Sequence, residues 1–317
     1  MNVSITGTGW FAPGRVETAE ALAPHIGRSP EWITSRTGVE RRRVSDRSME
    51  EMAAEAARRA LGAGPPPDLL LNASVTPVQL LPDSSVFVQG AMGLAGIPSF
   101  SVHASCLSFL VGLHTATHFV GAGTYKRVLV VSSERGTAFR NPNEPESAAL
   151  IGDGAAAAVV EPGGGRWLGF SMTTWPEGAS YAEFRGAGTR CPPLASTPED
   201  NLFSMRGPRV YRLAYTKLYD LMFGLMDQHR WRKEDIDLVV PHQMSGPGLD
   251  AFRKVGFRED QLMNVVGEYG NCIAASIPMA LAMANEQGRL RPGSKVMLVG
   301  TGAGISVAAG LMEWGSP

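Results

Sequence analysis

Between His103 and Lys126 the chain carries no Asp, Glu, Lys or Arg. A surface helix normally keeps a polar stripe toward water, so an uncharged stretch this long has to be enclosed on most of its faces. From Cys106 to Gly123 the apolar residues fall on more than one helical face, which predicts such a buried helix; the alternating run Ile97 to His103 predicts a strand leading into it. Cys106 therefore falls where strand turns into helix. At the first turn of a helix, free backbone N–H groups and the positive end of the dipole favour a thiolate, lowering a cysteine pKa from about 8.5 to roughly 3.5 to 7.5. The same place suits an inert cysteine, because free Cys packs as a small hydrophobe. Taken alone, the stretch leaves both readings open.

Elsewhere the chain alternates strands and helices. Asn2 to Gly7 reads as a strand ending in a Gly-rich turn, and Ser48 with Glu51 makes a capping box ahead of a helix over Met49 to Leu61. Leu69 to Val75, Arg127 to Ser133 and Ala155 to Glu161 read as buried strands, and Ser84 to Leu94 as a helix. Arg36 to Arg43, RTGVERRR, reads first as a solvated basic turn, the alternative being a phosphate-binding rim. Long helices are predicted over Gly207 to Arg230 and Ala274 to Gln287, and Trp175 to Met205 as an irregular insertion. LIGDGAAAAVVE at Leu150 to Glu161 is echoed by LVGTGAGISVAAGL at Leu298 to Leu311, and LLLNAS at Leu69 by DLVVPHQ at Asp237. Such self-similarity predicts an α/β chain made of two like halves, residues 1–165 and 166–317.

Composition narrows the partners. With 29 Lys+Arg against 30 Asp+Glu, the chain has no charge excess for nucleic acid or an anionic membrane. The three cysteines, Cys106, Cys191 and Cys272, are too scattered for a disulfide framework or a metal cluster, which favours a reducing, cytoplasmic setting. No run is apolar for the ~18 residues a membrane span needs, and the N-terminus reads as a first strand rather than a leader.

Three stretches of the second half carry polar groups to strand or helix ends. His242 follows the buried strand Leu238 to Val240 and a proline. Asn271 lies in GEYGNCIAASIP, where glycines bring a loop against a small-residue helix. Gly300 to Gly304, GTGAG, lets backbone N–H groups approach a ligand. Each alone has an ordinary structural reading; with Cys106 they form a constellation.

These motifs together resemble the β-ketoacyl-acyl-carrier-protein synthase III family, condensing enzymes of the thiolase superfamily. The resemblance runs in order from residue 3 to residue 311. It rests on RTGVERRR after Trp32, HASCLSF around Cys106, IGDGAAAAVV, MRGPRVYR at Met205 to Arg212, PHQ at Pro241 to Gln243, GNCIAASIP at Gly270 to Pro278, and GTGAGIS. It implies a duplicated αβαβα five-layer sandwich, normally a homodimer. It also implies decarboxylative condensation of an acyl group held on Cys106 with a malonyl thioester, with His242 and Asn271 as the decarboxylation residues. The N–H groups of Cys106 and Ala303 would form an oxyanion hole, and Trp32 and Arg36 would bind the donor. The substrates would be coenzyme A or acyl-carrier-protein thioesters, with no metal or redox cofactor. Two rivals stay open: a same-fold acyltransferase or head-to-head condenser, and a non-catalytic partner subunit.

The chain also departs from the family pattern. Cys106-Leu107-Ser108-Phe109 stands where the family usually has Cys-Ala-Gly-Phe. Pro145, between Glu144 and Glu146, replaces an adenine-packing arginine, and Pro247 replaces a basic carrier-docking residue. These changes point to a specialised member, with acyl chain length and donor left open.

Overall fold

In the computed structural model, which describes residues 1–186 and 188–315, the uncharged stretch forms a helix lodged between two β-sheets. The first half of the chain runs β1 (Val3–Phe11), β2 (Val16–Thr18), α1 (Ala19–Ile26), α2 (Pro30–Thr37), β3 (Arg41–Arg43), α3 (Met49–Leu61), β4 (Leu69–Asn72), α4 (Ser84–Ala91), β5 (Ser99–Ser101), α5 (Ser108–Gly121), β6 (Val128–Glu134), α6 (Pro145–Ala148) and β7 (Gly154–Pro162). The second half runs β8 (Arg166–Thr174), β9 (Ala182–Glu183), β10 (Ser204–Met205), α7 (Gly207–Gln228), β11 (Leu238–Pro241), α8 (Gly246–Lys254), α9 (Val266–Tyr269), α10 (Ser276–Glu286), β12 (Lys295–Gly302) and β13 (Ser306–Glu313).

One sheet has the order β1-β7-β6-β4-β5 and the other β8-β13-β12-β11. In both, the penultimate strand of the half runs antiparallel to the last, and a shorter strand lies parallel on its other side. The echoed glycine motifs lead into the equivalent strands β7 and β13. The first sheet takes its strands from residues 3–162, the second from 166–313.

The layers follow from strand alternation. On β6, Val128 and Val130 face inward with Leu110 and Leu113 of α5 and Met279 and Met283 of α10; Leu129 and Val131 face outward to Met49 and Ala53 of α3 and to Val88 of α4. The second sheet likewise buries Leu298 and Ala308 centrally and Val299 and Val307 against α7 and α8. The result is a five-layer αβαβα sandwich whose middle layer, α5 and α10, is covered on both sides. Phe109, Leu110 and Leu113 have no exposed surface, and each contributes roughly 1.5–3 kcal/mol by leaving water.

Several local expectations shift. The capping box of Ser48 and Glu51 forms as read. The strand before Cys106 shortens to Ser99–Ser101, and the helix after it starts at Ser108, leaving Cys106 outside. The basic turn is not simply solvated: it contains β3, paired with β2, and Arg42 is fully buried 3.8 Å from Glu17. Trp175 to Met205 is irregular, with short 3₁₀ turns and the small β9–β10 pair; Ala187 lies outside the described residues. No helix among the described residues is long and apolar enough to cross a membrane.

Close packing of α3 on β1 depends on glycine. A Cβ at Gly9 would run into the carbonyl oxygen of Ala56, whereas one at Gly14 meets nothing within 4 Å. Gly9→Ala should therefore destabilise by roughly 1–3 kcal/mol, and Gly14→Ala by about 0.5 kcal/mol or less, as measured by denaturant unfolding.

Candidate active site

Cys106 sits on a sharp elbow between β5 and α5. Ser105, just before it, has a left-handed backbone with φ of 52°, a conformation that costs a non-glycine residue about 1–2 kcal/mol. Ser108 holds the elbow: its Oγ donates to the carbonyl of Ser105 at 2.6 Å and accepts from the N–H of Ala104 at 2.9 Å. The Ser108 hydroxyl thus serves this tight turn. The backbone N–H of Ala303, in the turn between β12 and β13, and that of Cys106 itself act to lower the Cys106 pKa.

His242 follows β11, its N–H bonded to the carbonyl of Val299 on β12 at 2.8 Å. Gly300, next along β12, leaves room for both sites. A Cβ there would lie 2.8 Å from Cβ of His242 and 3.3 Å from Leu107, the neighbour of Cys106. Asn271 arrives from the other side. Its backbone pairs with the IGDG segment, donating to Leu150 O at 2.7 Å and accepting from Gly152 N–H at 3.1 Å. Its Oδ1 accepts from Ile273 N–H at 2.9 Å, and its Nδ2 points to the carbonyl of Met244, two residues past His242, at 3.5 Å. Cys106 and His242 thus both lie along β12, through Leu107 and Gly300, while Asn271 reaches the loop after His242 through Met244.

Burial sets the electrostatics. The Cys106 thiol is pushed up to about 12, first by burial and then by the negative charge of Glu134; the two N–H groups oppose this without overcoming it. This corrects the expectation of a thiolate stabilised at a helix start. The cysteine precedes α5, the first turn of the helix lies beyond it, and desolvation outweighs the dipole. Burial alone lowers His242 to about 4, so the imidazole is neutral at physiological pH, and its buried Nδ1 has no hydrogen-bond partner. Cys272, buried beside Asn271, is also shifted up, first by burial and then by the charges of Asp153 and Glu134, and Cys191 lies in the irregular insertion.

The donor-binding candidates lie on α2. The Arg28 guanidinium packs over the Trp32 ring at 5.2 Å. Arg36 donates twice to Glu146, at 2.8 and 3.0 Å, so an acid on α6 offsets its charge. Glu144 faces β10, accepting from Ser204 Oγ and Met205 N–H. Of the remaining arginines in that motif, Arg41 pairs with Glu268, Arg42 is buried and Arg43 covers Tyr269, so a cationic rim opposite Glu146 does not form. Pro247 opens α8, while Arg253 near its end is held by Asp250 and Glu259.

Two further groups were not singled out as functional from the sequence, although Gln243 ends the PHQ motif. Gln243 donates from Nε2 to Pro241 O and Met263 O and accepts from Val265 N–H, fixing the chain just after His242. Glu134 closes the apolar strand β6 and is fully buried. An acid ending a buried strand was the available clue. Among the described residues, no group of three or more His, Cys, Asp or Glu side chains could hold a metal ion.

Comparison with known proteins bears on this geometry. Residues 100–176 match 3-oxoacyl-[acyl-carrier-protein] synthase III, and residues 226–314 match its C-terminal part. The chain is 33% identical to β-ketoacyl-[acyl-carrier-protein] synthase III of Oceanobacillus iheyensis, the alignment covering 99% of this chain and 100% of the relative. Among solved structures, 3-oxoacyl-(acyl carrier protein) synthase III of Pseudomonas aeruginosa PAO1 superposes with a TM-score of 0.90 at 27% identity, covering 100% and 99% of the two chains. The Thermus thermophilus enzyme gives 0.90 at 31%, covering 99% and 100%. Xanthomonas campestris OleA, at 24% identity and a TM-score of 0.86, shares the fold. With like order of motifs, like layers and full-length similarity, this chain belongs to the β-ketoacyl-[acyl-carrier-protein] synthase III family of condensing acyltransferases.

Proposed function

We propose that the protein condenses an acyl group, carried as a thioester on Cys106, with a malonyl thioester. The contacts that link the three loops support this reading: Gly300 of β12 lies against both His242 and Leu107, and Asn271 Nδ2 points to the Met244 carbonyl just past His242. In the first step the Cys106 sulfur bonds to the donor's carbonyl carbon, the pantetheine sulfur leaves, and the proton lost by one thiol matches the proton gained by the other. The N–H groups of Cys106 and Ala303 stabilise the tetrahedral oxyanion, each such donor contributing about 10²–10³ in rate. In the second step the malonyl carboxylate leaves as CO₂. The resulting enolate oxygen accepts from Nε2–H of His242 and Nδ2–H of Asn271, and its carbon attacks the Cys106 thioester, expelling the sulfur as a thiolate that takes one proton from water to regenerate the thiol.

This division of labour suits a dry site. Neutral donors stabilise a transient negative charge without a proton changing hands, and no step calls on a metal or redox cofactor. We read the protein as a specialised, cytoplasmic member taking part in fatty-acid or secondary-metabolite synthesis. Homodimerisation is part of this reading: Leu80 and Leu81 are 70% and 83% exposed, close in sequence to the partly exposed edge strand β5. An acyl carrier protein bringing the donor would meet Lys254, the exposed base on α8 outside the Arg253 ion pairs.

Intact-protein mass spectrometry with acyl thioesters should give one adduct that is lost in Cys106→Ala and kept in Cys191→Ala. His242→Ala and Asn271→Ala should still self-acylate but lose decarboxylation and condensation by about 100-fold or more. Condensation at the parent rate in both variants would exclude the mechanism; transfer to an oxygen or nitrogen acceptor without decarboxylation would indicate an acyltransferase.

His242 supplies a pH signature. An ordinary imidazole gains its proton near 6.5, whereas burial holds this one neutral down to about 4. The charged form is the penalised one, so the folded protein should show no His242 titration between about pH 8 and about 5.5. The imidazole proton resonances report this directly, and a midpoint at the ordinary value would mean the ring is solvated.

Donor selectivity should be weak toward the nucleotide. With Arg28 on Trp32 and Arg36 neutralised by Glu146, pantetheine thioesters should acylate Cys106 within about tenfold of the matching coenzyme A thioesters, at low and high salt. A coenzyme A preference of about 100-fold or more would reveal strong nucleotide contacts elsewhere.

A further inference from the structure

We propose that Arg140, gripped by Glu17, is a positioning residue that fixes the segment from which the Asn271 amide is presented. What Asn271 does rests on the condensation reading; how it is held rests on bonds and contacts of the fold. The main chain of Asn271 is bound to a neighbouring segment at two points, donating to Leu150 O at 2.7 Å and accepting from Gly152 N–H at 3.1 Å. The residue between them, Ile151, is held by Arg140, whose Nη2 donates to the Ile151 carbonyl at 3.1 Å. From Nη1 the same guanidinium donates to Glu17 Oε2 at 2.6 Å. Glu17 lies on β2 opposite Arg42 of β3, and the fully buried Arg42 guanidinium comes within 3.8 Å of the same carboxylate oxygen. Arg42 also reaches the bridge itself: a Cβ at Gly152, after Ile151, or at Gly270, before Asn271, would stand 3.4 Å from its Cβ. A chain of direct contacts thus runs from Glu17 through Arg140 to Ile151 and Asn271.

This support acts on the direction of an amide. Asn271 Oδ1 accepts from Ile273 N–H at 2.9 Å, whereas Nδ2 makes a longer contact of 3.5 Å with Met244 O. The side chain is therefore aimed by its own backbone, and a shift of the Ile151 bridge carries Nδ2 with it. A donor to an oxyanion works at about 2.7–3.1 Å, and a misplacement of about 1 Å can cost about 10² in rate. Arg140 suits the task because a guanidinium is a rigid fork that serves a carboxylate and a carbonyl at once, at fixed angles. The nucleophile is held separately: Ser108 braces the Cys106 elbow through Ser105 O and Ala104 N–H. Losing Arg140 should therefore fall on the enolate step and spare acyl transfer to Cys106. The pair Arg127–Glu161 provides the comparison. Its contact is 2.7 Å against 2.6 Å, and its side chains are 15% and 24% exposed against 14% and 22%. The β6–β7 register nevertheless sets it beside Val128 and Val160, at the end of that strand pair remote from Glu134 and Gly154.

The test compares full-length Arg140→Ala and Arg127→Ala with the parent protein. Acylation of Cys106 by acetyl-pantetheine and hydrogen exchange of the peptides containing Gly152 and Asn271 are followed by mass spectrometry, and decarboxylation of malonyl-pantetheine by release of CO₂. Arg140→Ala should acylate within about threefold of the parent but decarboxylate about 100-fold more slowly. Exchange at Gly152 and Asn271 should quicken about tenfold, because the bonds they make lose their anchor. Arg127→Ala should leave the ratio of the two rates and the exchange of both peptides as in the parent. Parent-like decarboxylation or parent-like exchange in Arg140→Ala overturns the proposal, and so do equal losses of acylation and decarboxylation. An effect of the same size in Arg127→Ala also overturns it, as general loosening would then be the cause. If Arg140→Ala does not fold, Arg140→Lys, which keeps the charge and loses the fork, takes its place. About tenfold slower decarboxylation with parent-like acylation then supports the proposal, and a parent-like ratio overturns it. Should the parent itself fail to decarboxylate, the condensation reading fails, and exchange at Gly152 and Asn271 alone decides whether Arg140 holds the turn.

Discussion

The structure depends on burying a layer of helix on both sides. α5 and α10 lie between two sheets, so neither can carry a charged face, and both meet the sheets through small residues and aliphatic side chains. That requirement explains the empty charge record from His103 to Lys126. It also brings the start of each central helix to the same region as the ends of the sheet strands, since each helix returns the chain from one strand to the next. Cys106 precedes one of these helices and Asn271 the other; His242 leaves β11 nearby. A duplicated fold thus sets three polar groups from distant parts of the chain at the ends of its central elements.

The same burial controls the chemistry of those groups. Cys106 and Glu134 are pushed up and His242 is pushed down, all with desolvation as the largest cause. In each case the charged form is the one disfavoured. Such a site favours neutral hydrogen-bond donors over ions. Amide and imidazole N–H groups aimed at a developing oxyanion need no reorganisation at the moment of reaction. The resting cysteine is accordingly held as a thiol.

The donor-binding candidates carry paired charges. Arg28 covers Trp32, Glu146 takes Arg36, and Glu144 is tied to β10. These are contacts of a partly exposed rim. Exposed ion pairs of this kind contribute about 0–1 kcal/mol to stability, so their main consequence is which charges remain free to meet a donor. Inside, by contrast, Gln243, Ser108 and the backbone pairing of Asn271 with the IGDG segment are buried or nearly so, and each fixes a loop that carries a proposed catalytic group.

The α/β class, the two like halves, the buried central helix and the capping box at Ser48 were legible in the sequence because they rest on periodicity, local hydrogen bonding and the absence of charge. The motifs around Cys106, His242 and Asn271 were legible for the same reason, as glycines and small residues mark places where backbones approach closely. What the tertiary structure alone decided is the state of those residues. Cys106 was read as a low-pKa thiol from its local helix, but the desolvation and the Glu134 charge that reverse this come from elements far away in sequence. The basic turn at Arg41 to Arg43 likewise divides into one buried and two partly exposed arginines only once β3 pairs with β2. Local pattern determines which elements form; the dielectric around a group, and the charges that share it, are properties of the assembled layers.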